Sequence, residues 1–168
     1  MNADKYIETM RNRLISAFDL KDKPADLNLP IKVWAEHNRL SEKYFLAKKI
    51  SLYAFQNDEY VGLIDCPNGI SREEIEKYVG ESKRYISTLK KNEEHMSSVY
   101  TLAFISSKPI TQDVADFVKK TKFHKDFLFT LRGWADLALL AVDLQNMEIY
   151  ANRQGKKSMQ FYEISEKE

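Results

Sequence analysis

The sequence predicts an α+β fold: a mainly antiparallel sheet of two meanders with about three helices packed on it, in one domain over residues 1–168. Three observations carry this expectation. An amphipathic run opens the chain, two further helices begin at capping residues, and strand-like segments with period-two alternation lie between and after them. Helices set into a mainly antiparallel sheet define the class.

Residues 3 to 19 read as the first helix, with Tyr6, Ile7, Met10, Leu14, Ala17 and Phe18 at three- and four-residue spacing. "DLKDKPADLNLP" breaks it, with Pro24 and Pro30 as punctuators, and reads as a loop. The first meander follows: "IKVWAEHNRL", "KYFLAKKISLYAFQ" with a bulge expected at Lys48–Lys49, the turn "NDE", and "YVGLIDC". Ser71 with Glu74 forms a capping box and Ile70 with Ile75 a hydrophobic staple, so a helix starts there and runs to about Lys91. After "NEEHM" comes the strand "SVYTLAFIS". A helix capped by Thr111 presents Val114, Ala115, Phe117 and Val118. "FHKDFLFTL" is again strand-like, and "SMQFYEI" reads as a short tail strand.

"GWADLALLAVDLQNMEIYANRQGKK", residues 133 to 157, has the Ala and Leu content of a helix but reads as a hairpin. Gly133 interrupts any preceding helix, "DLQNM" is turn-like, and "MEIYAN" alternates. On a strand, Asp136 and Asp143 point to opposite faces, which removes a paired-carboxylate site made by this segment alone. Asp143 at the turn is expected to bind nearby backbone.

Composition narrows the function classes. Hydrophobic residues make up 43% and charged residues 30%, with a formal net charge of +1, so no global field marks a nucleic-acid or membrane binder. No apolar run approaches the ~20 residues that span a bilayer, and "MNADKYIETMRNRL" has no apolar h-region. A soluble, cytoplasmic, bacterial protein with no membrane partner is expected. The one cysteine, Cys66, has no disulfide partner and no thiolate metal cage. No phosphate loop can be written with five glycines, and His37, His95 and His124 lack metal-site spacing, so no cofactor and no metal are expected.

Three function classes remain. The first is a non-catalytic binding or protein-interaction domain, with Trp134, Asn152 and Arg153 as candidate binding residues. Strands apolar on both faces, nine tyrosines and two tryptophans suggest a homodimer. The second is an enzyme using Cys66, placed before a helix N-terminus that lowers a thiol pKa, with His37 or His95 as base. The third is nucleic-acid binding through "KRYISTLKK", "KKTKFHK" and "RQGKK", disfavoured because these lysines sit at helix ends and turns and are balanced by acids. "LRGWADLALLAVDL" followed by "IYANRQGK" resembles an uncharacterised family of small proteins of Gram-positive bacteria. That resemblance implies a stand-alone domain of unknown function and supplies no catalytic residue.

Overall fold

The computed structural model describes residues 1–38, 58–91, 97–129 and 131–164. Helix α1 (Ala3–Ile15) starts at Asn2, whose side chain accepts from the Lys5 amide. It stops four residues before the expected end, and the supposed loop after it contributes a short strand, β1 (Asp19–Lys21). Strands β2 (Ile31–His37) and β3 (Asp58–Cys66) follow. The middle strand expected over 43–56, its bulge at Lys48–Lys49 and Asn57 of the turn lie outside the described residues, as does His95. Helix α2 (Arg72–Thr88) begins at the expected capping box: Ser71 Oγ accepts from the Glu74 amide at 3.1 Å, and Glu74 accepts from the Ser71 amide at 2.9 Å. Then come β4 (Ser97–Ser106), α3 (Gln112–Lys120), β5 (His124–Asp126), β6 (Trp134–Asp143) and β7 (Glu148–Ala151).

Among the described residues the sheet has seven strands in the order β1-β2-β3-β4-β6-β5, with β7 also paired to β6. It is mixed and not the pair of antiparallel meanders that the alternation suggests. β3 pairs parallel with β4, and β4 parallel with β6. The reason is connectivity: α2 lies between β3 and β4, and α3 between β4 and β6, so the chain crosses over and re-enters in the same direction. Such central strands are covered on both faces. Trp34, Ile64, Leu102, Phe104 and Leu139 pack under α2 and α3, while Val33, Leu63, Ala103, Ile105 and Val142 pack under α1 and Tyr162.

Two further expectations fail locally. Only His124–Asp126 of "FHKDFLFTL" is strand; Leu128 and Phe129 take left-handed backbone with φ 51 each, which ends the ladder. The tail "SMQFYEI" is no strand: it contains the 3₁₀ turn Met159–Tyr162, just after another at Gly155–Lys157. The tail is instead tied to α1: the Tyr6 hydroxyl donates to the Tyr162 carbonyl at 2.6 Å, and Arg13 Nη1 donates to the Phe161 and Glu163 carbonyls. The 133–157 hairpin forms as expected, and Asp143 Oδ1 accepts from the Gln145 and Asn146 amides. No helix among the described residues is long and apolar enough to cross a membrane.

Candidate functional site

β5 and β7 pair with the same edge of β6, β5 with Trp134–Asp136 and β7 with Leu140–Asp143. On that edge residues 137–139 have no partner strand, and Asn152 fills the place. Its Oδ1 accepts from the Leu139 amide at 3.0 Å and the Gly155 amide at 2.8 Å. Its Nδ2 donates to the Leu137 carbonyl at 2.9 Å and the Thr121 carbonyl at 3.1 Å. Its backbone amide donates to the Leu139 carbonyl. At 2% exposure this side-chain amide stands in for a missing strand. Gly155 completes the fit, since a Cβ there would stand 2.4 Å from the Leu139 carbonyl oxygen.

Above this plug lies a cleft of about 330 Å³, walled by Thr121–His124, Asp136, Leu137, Asn152, Arg153, Gln154 and Lys157. His124 and Asp136 face each other across the β5–β6 ladder. His124 Nδ1 is 2.6 Å from Asp136 Oδ1, Nε2 is 3.1 Å from Asp126 Oδ1, and Gln154 Nε2 donates to Asp136 Oδ2 at 2.6 Å. Carboxylates at both ring nitrogens favour the doubly protonated imidazole, so the His124 pKa is raised, chiefly by Asp136. The two aspartates sit at opposite ring nitrogens and do not converge on a common point. Among the described residues no group of three metal-ligating side chains gathers.

With His124 and Asp136 satisfying each other, Lys122, Arg153 and Lys157 set the sign of the cleft. All three are exposed, and none forms an ion pair among the described residues. A concave site with this excess is complementary in charge to an anion.

The sequence candidates distribute as follows. Asn152 and Arg153 wall the cleft, Arg153 with an exposed side chain and Asn152 with every side-chain position engaged. Trp134 lies outside the wall, on the same face of β6 as Asp136 and two residues before it. Cys66 is in the core under α2, its thiol pushed up to about 12, first by burial and then by Asp65 and Glu74. His37 pairs with Glu59, seven residues from Cys66 on β3, about 23 Å away along the strand, so the two do not meet. The lysine clusters meet only in part: Lys122 of the second and Arg153 and Lys157 of the third wall the cleft, which the first reaches through Lys83 over Phe123. Lys91 lies over Tyr60 and Tyr100, and Lys119 over Tyr150.

Sequence reasoning passed over His124, Asp136 and Gln154, each plain in isolation. The usable signal was the hairpin "HKDFLFTLRGWAD", which sets its first histidine against its last aspartate. Glu59 was also missed, being read as a turn residue. It borders a second cleft of about 340 Å³ with Arg13, Phe18, Val61, Phe161 and Tyr162, and burial pushes its carboxyl up to about 7. Lys157 borders both clefts.

In comparisons with known proteins, one family model matches, over residues 2–164; it is described as a domain of unknown function (DUF8052). No curated protein and no solved structure matches.

Proposed function

The chain belongs to the DUF8052 family, a domain of unknown function, and from that premise we propose that it is a non-catalytic binding domain of the cytoplasm, taking a small anion in the cleft beside β6. The observation that carries this is the trio Lys122, Arg153 and Lys157, free of ion pairs among the described residues, around a His124–Asp136–Gln154 chain. Protonated His124 is shared by Asp136 and Asp126, so that group adds no positive charge of its own, and Lys122, Arg153 and Lys157 outweigh the one negative charge left over. A phosphate or carboxylate group is the chemistry these donors match.

Two other readings have less support. A cysteine enzyme needs a thiolate within reach of a base, and Cys66 is buried with a raised pKa. Nucleic-acid binding needs a basic stripe that follows a backbone, whereas the cations here converge on one cleft. The test is a titration with inorganic phosphate, read from the His124 ring resonances at low salt. Saturable shifts, weakened at least tenfold in Arg153→Gln/Lys157→Gln, are expected. Shifts absent, or unchanged in that variant, refute the reading.

A further inference from the structure

The loop joining β5 to β6 points apolar side chains at water. Phe129 is 93% exposed, Leu131 77%, Leu128 52% and Trp134 38%. Unlike a frayed loop, it is closed by hydrogen bonds: Phe127 N to Gly133 O at 2.9 Å, Arg132 N to Phe127 O at 3.1 Å and Leu131 N to Leu128 O at 3.0 Å. Phe127 anchors it in the core. Leu128 and Phe129 both hold left-handed backbone, which bulky residues adopt at a cost and which marks functional sites more often than ordinary turns. Residues 127–129 and 131–133 are therefore held in a defined arrangement.

Granted the anion-binding reading of the cleft, we infer that the domain docks on an anionic membrane surface, the tip entering the lipid while the cleft holds a headgroup phosphate. Distances along the hairpin agree. Asp126 and Trp134 pair two residues from the His124–Asp136 pair, about 7 Å along the strands. One leaflet's headgroup layer is about 5–8 Å thick. With Trp134 at the acyl boundary, the interfacial depth that tryptophan favours, and Leu128, Phe129 and Leu131 beyond it in the lipid, the cleft is level with the phosphates. Charge agrees too. Lys125 and Arg132 flank the tip and Lys122, Arg153 and Lys157 lie behind it, five cations that outnumber the Asp126 and Asp136 carboxylates sharing His124.

A second copy of the chain fits less well. An aromatic side chain supplies about 150–250 Å² even when fully exposed. Four partly exposed side chains thus offer roughly half of the ~800 Å² per partner in a stable interface. The expectation of no membrane partner rested on the absence of spanning runs and on the whole-chain net charge of +1; this contact crosses nothing and uses a local cluster of cations.

The test uses the whole chain and vesicles of phosphatidylcholine with and without a phosphatidylglycerol fraction, beside the phosphate titration. Partition onto the anionic vesicles is expected, with a blue shift in emission from Trp134, since Trp34 is buried. Phe129→Ser/Leu131→Ser should lose at least tenfold in partition and keep its phosphate affinity. Arg153→Gln/Lys157→Gln should lose both. Phosphate binding without vesicle binding overturns the membrane inference and leaves the cleft reading intact. Failure of the phosphate titration overturns the cleft reading and, with it, this one. A tip variant that binds vesicles like the wild type overturns the role of the tip. So does sedimentation that finds a dimer abolished by the tip variant, which would assign the tip to a second copy.

Discussion

Replacing Asn152 by alanine removes four side-chain hydrogen bonds in one step and takes that partner from the Leu139 amide and Leu137 carbonyl on the β6 edge and from the Gly155 amide and Thr121 carbonyl beside it. At a net ~1 kcal/mol each, the loss comes to about 4 kcal/mol, reduced where water enters the vacated polar slot. Against the 5–15 kcal/mol typical of a domain, about 3–4 kcal/mol is a large fraction. Urea unfolding measures it: the midpoint should fall while the slope stays near its wild-type value, because the folded surface hardly changes. Asn152→Asp separates hydrogen bonding from shape. It keeps both accepted bonds but sets a carboxylate oxygen against the Thr121 and Leu137 carbonyls. It should be less stable than Asn152→Ala at neutral pH and recover in acid, where a protonated carboxyl can donate. An alanine variant within about 0.5 kcal/mol of wild type, the ordinary range for a featureless surface position, would refute the assignment of Asn152 as a surrogate strand.

Three further outcomes follow from burial and charge. Cys66 in the native protein should react with a soluble thiol reagent far more slowly than in urea, because its thiol is buried and pushed up to about 12; equal rates would reopen the cysteine reading. The raised pKa of His124 stabilises the fold fully below the ordinary histidine value of about 6.5, and that contribution fades as pH rises through the folded pKa. His124→Gln should accordingly lower the melting temperature in mild acid and have little effect in alkali, and a loss confined to alkali would contradict the geometry. Glu59 carries the opposite liability. Its carboxyl, up at about 7, binds more protons folded than unfolded, so stability falls as pH rises from about 4.5 to 7. Glu59→Gln should raise the melting temperature above that window and barely alter it below; equal effects on both sides would point to packing.

Local chemistry was legible in the sequence. The capping box at Ser71 and Glu74 needs only neighbours three residues apart, and Asp143 caps its own turn through residues two and three positions on. The strand reading of 133–143 survived its helix-like composition because Gly133 and the turn at 143–147 bound it. What stayed hidden depends on long-range pairing. Alternation reveals that a strand exists and which side is apolar, but not its neighbour or direction. Parallel pairing of β3, β4 and β6 had to be inferred from the intervening helices, and that step was not taken. The site was illegible for the same reason: His124, Asp136 and Gln154 acquire meaning only through hairpin register and the turn after Asn152. Asn152 itself was singled out as a binding residue, while its buried, fully engaged amide follows from a gap between two strands that no sequence window reveals.

The seam between α1 and the closing turns also bears on how the chain is made. Tyr6 and Arg13 find their carbonyl partners at Tyr162, Phe161 and Glu163, some 150 residues downstream. At a synthesis rate of about 5–20 residues per second, the first helix waits roughly 8–30 s for those partners to exist. Through that interval Tyr6, Met10 and Leu14 have only part of their final cover. Of the elements described, the earliest in the chain is the last to be completed, so a ribosome stalled before residue 161 would hold a sheet whose α1 face is still unlatched.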